Sequence, residues 1–219
     1  MGRASPNPRP RKALFGGQPV LNFRTESSRR NFIKGAAVVG VGASFVAVTA
    51  GDRTAFAQGS ATDLEILNFA LTLEFLEAEF YVQGLEAGLV SGRELELVTP
   101  IRDHELAHAE DLQAVIQQLG GTPTEEPEFM FPDETFANRQ NFLEAASMFE
   151  ELGVTAYHGQ VPNIESPEIL GAAAAIAGVE SRHAAVIADL LGADPFPAPF
   201  EDNRTMDEVL ELAGQFIAS

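Results

Sequence analysis

Four stretches of this chain place apolar residues three and four apart, and in each of them the stripe is broken by a glutamate. The first stripe reads Leu64, Leu67, Leu71, Glu74, Ala78, Tyr81, and the second Ile101, Glu105, His108, Leu112, Val115, Leu119. The third reads Leu143, Ala146, Glu150, Gly153, Tyr157, and the fourth Ala173, Ile176, Glu180, His183, Ile187, Leu190. A stripe of this kind turns toward a core, where one ionised carboxylate costs several kcal/mol and four facing one another cost more. Two divalent cations cancel four carboxylates. In the second and fourth stripes a histidine follows the glutamate by three residues, and Glu-x-x-His sets both ligands on one face of a helix about one turn apart.

The pattern repeats. Glu74 and Glu105 are 31 residues apart and Glu150 and Glu180 are 30 apart, and each lone glutamate has a tyrosine seven residues on, Tyr81 and Tyr157. The chain therefore reads as two copies of a helical hairpin, each offering a Glu from one helix and a Glu-x-x-His from the next. The candidate metal ligands are Glu74, Glu105, His108, Glu150, Glu180 and His183, with Tyr81 and Tyr157 as hydrogen-bond donors to them or as packed rings. Glu77 competes with Glu74 for its face, and Glu144 and Glu151 compete with Glu150; the tyrosine register favours Glu74 and Glu150. His158 reads as a helix-end residue without chemistry.

Punctuation sets the architecture. Ser60-x-x-Asp63 opens a helix running to about Gly88, and Ser91-x-x-Glu94 has the form of a capping box for the second, which Pro100 either kinks or starts at its first turn and Gly120-Gly121 ends. Residues 122–138 hold three prolines and are too long for a tight turn, so they read as a crossover along a bundle. A third helix runs to about His158, and Ser166-Pro167-Glu168 starts a fourth that stops near Gly192. Thr205-x-x-Glu208 caps a short last helix whose Val209, Leu212, Ala213 and Phe216 close one end of the bundle. The fold class is all-α: a four-helix bundle with a long crossover between helices 2 and 3 and a short C-terminal helix.

The first fifty-seven residues read as an address. Residues 1–27 are a Pro-, Gly-, Ser- and Arg-rich n-region with no hydrophobic period. Residues 28–57 carry Ser28-Arg29-Arg30-Asn31-Phe32-Ile33-Lys34, an apolar run from Gly35 to Ala50 and Ala55-Phe56-Ala57, which resembles a twin-arginine signal with its A-x-A cleavage site. The resemblance implies the Tat translocase as a transient partner, export to the periplasm, cell envelope or exterior, and a folded domain over 58–219. A transmembrane anchor is the alternative, but the run is short and rich in glycine and alanine. Nine of the fourteen Lys and Arg residues lie at or before Arg53, so residues 58–219 keep five basic and thirty acidic side chains, a formal charge of −25. Such a surface repels nucleic acid and attracts cations. With no cysteine, any metal is held by nitrogen and oxygen.

His104-Glu105-Leu106-Ala107-His108 also matches H-E-x-x-H, the zinc-protease pattern, in which both histidines bind zinc and the glutamate is the base. That reading leaves Glu74, Glu150, Glu180 and His183 without a role. In the two-metal reading His104 precedes Glu105 by one residue, is rotated by about 100° from the ligand stripe, and is expected to point away from the centre.

The segments Leu67-Asn68-Phe69-Ala70-Leu71-Thr72-Leu73-Glu74-Phe75-Leu76-Glu77-Ala78-Glu79-Phe80-Tyr81 and Phe149-Glu150-Glu151-Leu152-Gly153-Val154-Thr155-Ala156-Tyr157 resemble those of the desiccation-related, Tat-exported family of ferritin-like proteins. The resemblance implies a ferritin-like di-iron or di-manganese carboxylate bundle with two metal ions per chain, Fe or Mn. Its chemistry would involve a small-molecule oxidant such as O2 or peroxide, iron handling, or a non-catalytic protective role under stress. A homo-oligomer is compatible with that family.

Overall fold

The structure, a computed structural model, describes residues 60–218; the signal expected over 1–57 lies outside the described residues. Five α-helices follow in order: α1 (Ala61–Glu86), α2 (Arg93–Gln118), α3 (Arg139–Gln160), α4 (Pro167–Leu191) and α5 (Met206–Ala213), with 3-10 turns at Val161–Asn163 and Gly214–Phe216. α1 packs mainly on α2 and α3 mainly on α4, and the two pairs meet through α1 with α3 and α2 with α4. The result is a helical bundle in which the four glutamate-bearing stripes share one interior.

Most helix ends follow the sequence signals. Ser60 accepts a hydrogen bond from the Asp63 amide and Ser166 from the Ile169 amide. Thr205 and Glu208 form the reciprocal capping box, and Gly192 ends α4 in the left-handed conformation at φ 74°. α2 differs from expectation: its N-cap is Gly92, and Ser91 offers only its backbone carbonyl to Glu94, so the Ser91 capping box does not form. The positive φ of Gly92 turns the chain one residue later than the serine pattern requires. Pro100 lies inside α2 rather than at its start.

Residues 122–138 are tied down by chemistry that their prolines conceal. Asn68 of α1 accepts the Thr124 amide at 2.6 Å. Phe129 bridges to Ile217, with Met130 N–H donating to the Phe216 carbonyl and Ala218 N–H to that of Glu128, each at 2.8 Å. Phe131 and Phe136 join Phe80, Phe142, Phe149 and Phe216 in one cluster, where Phe149 and Phe216 meet at 4.9 Å between centroids. Each buried ring contributes roughly 1.5–3 kcal/mol. Gly84 lets α1 come close to this cluster, since a Cβ there would lie 2.1 Å from the Phe142 ring. Val209 and Ala213 of α5 are buried as expected, whereas Leu212 is 39% exposed: an eight-residue helix lying on the bundle hides only one narrow face.

Candidate metal centre

Midway along the bundle the four stripes deliver their glutamates to one place. Glu74, Glu105, Glu150 and Glu180 are fully buried, and His183 is 4% exposed. Two groups of ligand atoms lie within 4.8 Å of one another: Glu74, Glu105, His108 and Glu180, and Glu105, Glu150, Glu180 and His183. Glu105 and Glu180 belong to both groups. His108 Nδ1 is 3.1 Å from Glu74, 3.2 Å from Glu105 and 3.3 Å from Glu180, while His183 Nδ1 is 2.8 Å from Glu105 and 3.4 Å from Glu150. The competing acids Glu144 and Glu151 are exposed, and His158 hydrogen-bonds the Val154 carbonyl at 2.8 Å, outside both groups.

The tyrosines cross over. Tyr81 of α1 donates to Glu150 of α3, and Tyr157 of α3 donates to Glu74 of α1. Burial, reinforced by the Glu150 charge at Tyr81 and the Glu74 charge at Tyr157, pushes both phenols well above their ordinary range, so each keeps its proton and acts as a donor. Each lone glutamate thus has one oxygen held and one turned to the cluster.

Five buried atoms in this cluster make no hydrogen bond: Glu105 Oε1, Glu150 Oε2, both oxygens of Glu180 and His183 Nδ1. His183 Nδ1 and Glu105 Oε1 are close enough for one but are not aligned for it. Buried polar atoms are rarely left this way, because each forfeits its hydration. Lone pairs aimed at a common point rather than at one another are what a cation requires, and nitrogen and carboxylate donors suit iron and manganese. The residues fit a bound metal ion.

Electrostatics tell the same story. Burial, then the charges of Glu105, Glu74 and Glu150, push Glu180 well above the usual carboxylate range despite the His108 ring 3.3 Å away. Burial raises Glu105 to about 7, against the hydrogen bond with His108 and the proximity of His183. For Glu74 burial acts upward but is outweighed by the His108 charge and by hydrogen bonds from His108 and Tyr157, which hold it below its ordinary value. His108 is raised by the carboxylates around it in spite of burial, and His183 likewise to about 10. Without a cation, the two histidines take protons to stand in for one.

Two residues are placed differently from the sequence reading. His104 does not point away: its Nδ1 lies 2.9 Å from His183 Nε2 and the two rings stack at 5.1 Å. His104 itself is exposed, but its imidazole is long enough to reach across from α2 to His183 of α4. Burial and the neighbouring His183 and His108 hold His104 below its ordinary pKa, so it can accept the His183 Nε2 proton while Nδ1 faces the cluster. His104 is in neither ligand group, so the H-E-x-x-H pair does not converge on one ion. Glu77, read as a rival to Glu74, is instead buried beside it at 3% exposed. Gly153 of α3 is the reason both fit: a Cβ there would lie 3.0 Å from Glu77 Oε1 and 3.2 Å from Glu180 Oε2. The signal was present as a glycine on an inward stripe, where it lowers helix stability by about 1 kcal/mol relative to alanine.

One turn along the bundle from the ligands, an apolar cavity of about 40 Å³ is lined by Leu73, Leu112, Tyr157 and Ile176 among others, so Tyr157 touches both the cavity and Glu74. A space of that size takes only a few atoms.

A family model described as a ferritin-like domain matches residues 62–193, from the first turn of α1 to just beyond α4. No curated protein matches the chain.

Proposed function

Because this chain belongs to the ferritin-like domain family, we propose that it is an exported protein holding two ions of iron or manganese, and that it uses them in two-electron chemistry with O2 or peroxide. The observation that carries this reading is the set of five buried ligand atoms with no hydrogen-bond partner, drawn from three helices and aimed at one space. We read the bundle as the four-helix type, with 122–138 as its long crossover.

In this reading Glu74, Glu105, His108 and Glu180 would hold one ion, and Glu105, Glu150, Glu180 and His183 the other. Four carboxylates then balance two divalent charges. The metal pair, when bound, would supply the electrons for that chemistry. The protein's part is to orient and to exclude water. Tyr81 and Tyr157 fix the outer oxygens of Glu150 and Glu74, and His104 fixes the tautomer of His183. The apolar cavity at Tyr157 suits a small, weakly polar oxidant better than a bulky organic substrate.

The test is to load the protein with iron or manganese and follow O2 uptake and peroxide loss against the same concentration of free metal. Turnover above the free-metal rate is expected with at least one oxidant. A loaded protein inert to both would replace catalysis with the second reading, non-catalytic metal binding or protection under stress.

A further inference from the structure

Five carboxylates, not four, share the interior of this centre, and the fifth has no role in the ligand arithmetic above. Glu77 is 3% exposed, lies one turn from Glu74 on α1, and accepts no hydrogen bond among the described residues. The charges that act on it are those of Glu180, Glu105, Glu150 and Glu74. Its neighbour across the bundle is Gly153, the one inward position of α3 where a missing Cβ leaves space for an oxygen of Glu77 and an oxygen of Glu180 to flank the same point.

We infer that Glu77 is the charge-balancing carboxylate of the oxidised centre: it offsets the positive charge that the metal pair gains on oxidation, in the space that Gly153 leaves beside Glu180. The inference rests on the two-ion reading and deepens it. Two divalent ions are neutralised by Glu74, Glu105, Glu150 and Glu180 with neutral histidines. Adding Glu77 leaves one negative charge in excess, which is matched when one ion becomes trivalent. A buried carboxylate with no donor keeps its charge only near a compensating positive charge, and inside a low-dielectric bundle that charge interaction is large. Glu77 therefore favours the more highly charged state of the pair over the divalent one. It need not contribute to binding the divalent ions, whose ligand set is complete without it.

Glu77→Gln removes the charge and keeps the shape. In redox titrations of the iron- or manganese-loaded protein, the variant should still take up two divalent ions, but its reduced state should be favoured more than tenfold over that of the parent. Tenfold is about 59 mV for a one-electron couple. Glu77→Asp, which restores the charge, should return most of that shift, a result that a merely structural role would not give. An unchanged potential in Glu77→Gln overturns the inference. So does loss of the divalent ions themselves, which would make Glu77 an ordinary ligand. Should Glu77→Gln not fold, Glu77→Met carries the same titration. Failure of the two-ion reading is seen separately, in the parent protein, as failure to bind two ions before any variant is compared.

Discussion

Tyr81 and Tyr157 show how much of the centre depends on single atoms. Each hydroxyl satisfies one oxygen of a glutamate on the opposite helix, so Tyr157→Phe should weaken the ion held by Glu74 and His108, and Tyr81→Phe the ion held by Glu150 and His183. Loss of such a supporting hydrogen bond costs roughly 10–100-fold in metal affinity, and competition with a chelator would read it ion by ion. Protons compete for the same atoms. Glu105, with a folded pKa of about 7 against 4.5, keeps a proton that the unfolded chain has released, so its contribution to stability falls as pH rises between those values. Glu77 and Glu180 act in the same direction. His183, raised from 6.5 to about 10, adds stability that is full below 6.5 and lost as pH rises toward 10. Glu74, lowered below 4.5, opposes them in more acidic solution, and the partly exposed His104, held below 6.5, opposes them more weakly as pH falls through that value. Metal-stripped protein should therefore melt at a higher temperature near pH 5 than near pH 8, with each extra bound proton worth up to about 1.4 kcal/mol per pH unit. The metal-loaded protein should show the reverse trend, because ligands must lose protons to bind; a stripped protein that weakens steadily from pH 8 to 5 would count against the cluster. At this scale the sequence was legible for residues that sit on a stripe. Helical spacing gives an angle but not a side chain's reach, which is why His104 and the joint burial of Glu74 and Glu77 became visible only in three dimensions.

Among the elements, the meeting of α1 and α4 depends on one buried acid. Asp63, at 1% exposed, accepts the Glu165 amide at 2.8 Å and the Ser166 amide at 3.1 Å, so the first turn of α1 holds the residues that begin α4. Asp63→Ala would bury two amides without partners, a loss of roughly 1–3 kcal/mol. In a domain of this size that lowers the melting temperature by about 2–4 °C for each kcal/mol, measurable by thermal unfolding of the metal-loaded protein. A change of less than a degree would mean that water replaces the carboxylate there. Helix identity was readable from Ser60, Ser166 and Thr205 because a capping side chain acts on amides two or three residues away. Ser91 misled because the backbone at Gly92, not the serine, sets where α2 begins. The ordering of 122–138 was not readable, since its contacts with Asn68, Ile217 and the phenylalanine cluster join residues far apart in the chain.

At the scale of the whole molecule, charge and address belong to one proposal. The acidic face of residues 58–219 attracts cations, and the twin arginine ahead of them proposes export after folding, with metal already loaded. Replacing Arg29 and Arg30 together by Lys should leave unprocessed precursor in the cytoplasm, seen by fractionation and immunoblotting; normal processing would remove the Tat assignment. The central claim is the pair of ions, and elemental analysis of the purified parent with two variants tests it most directly. About two iron or manganese ions per chain are expected in the parent, with loss of one or both in folded Glu180→Ala and two still present at saturating metal in His104→Ala. A single zinc per chain that is kept by Glu180→Ala and lost from His104→Ala would contradict it.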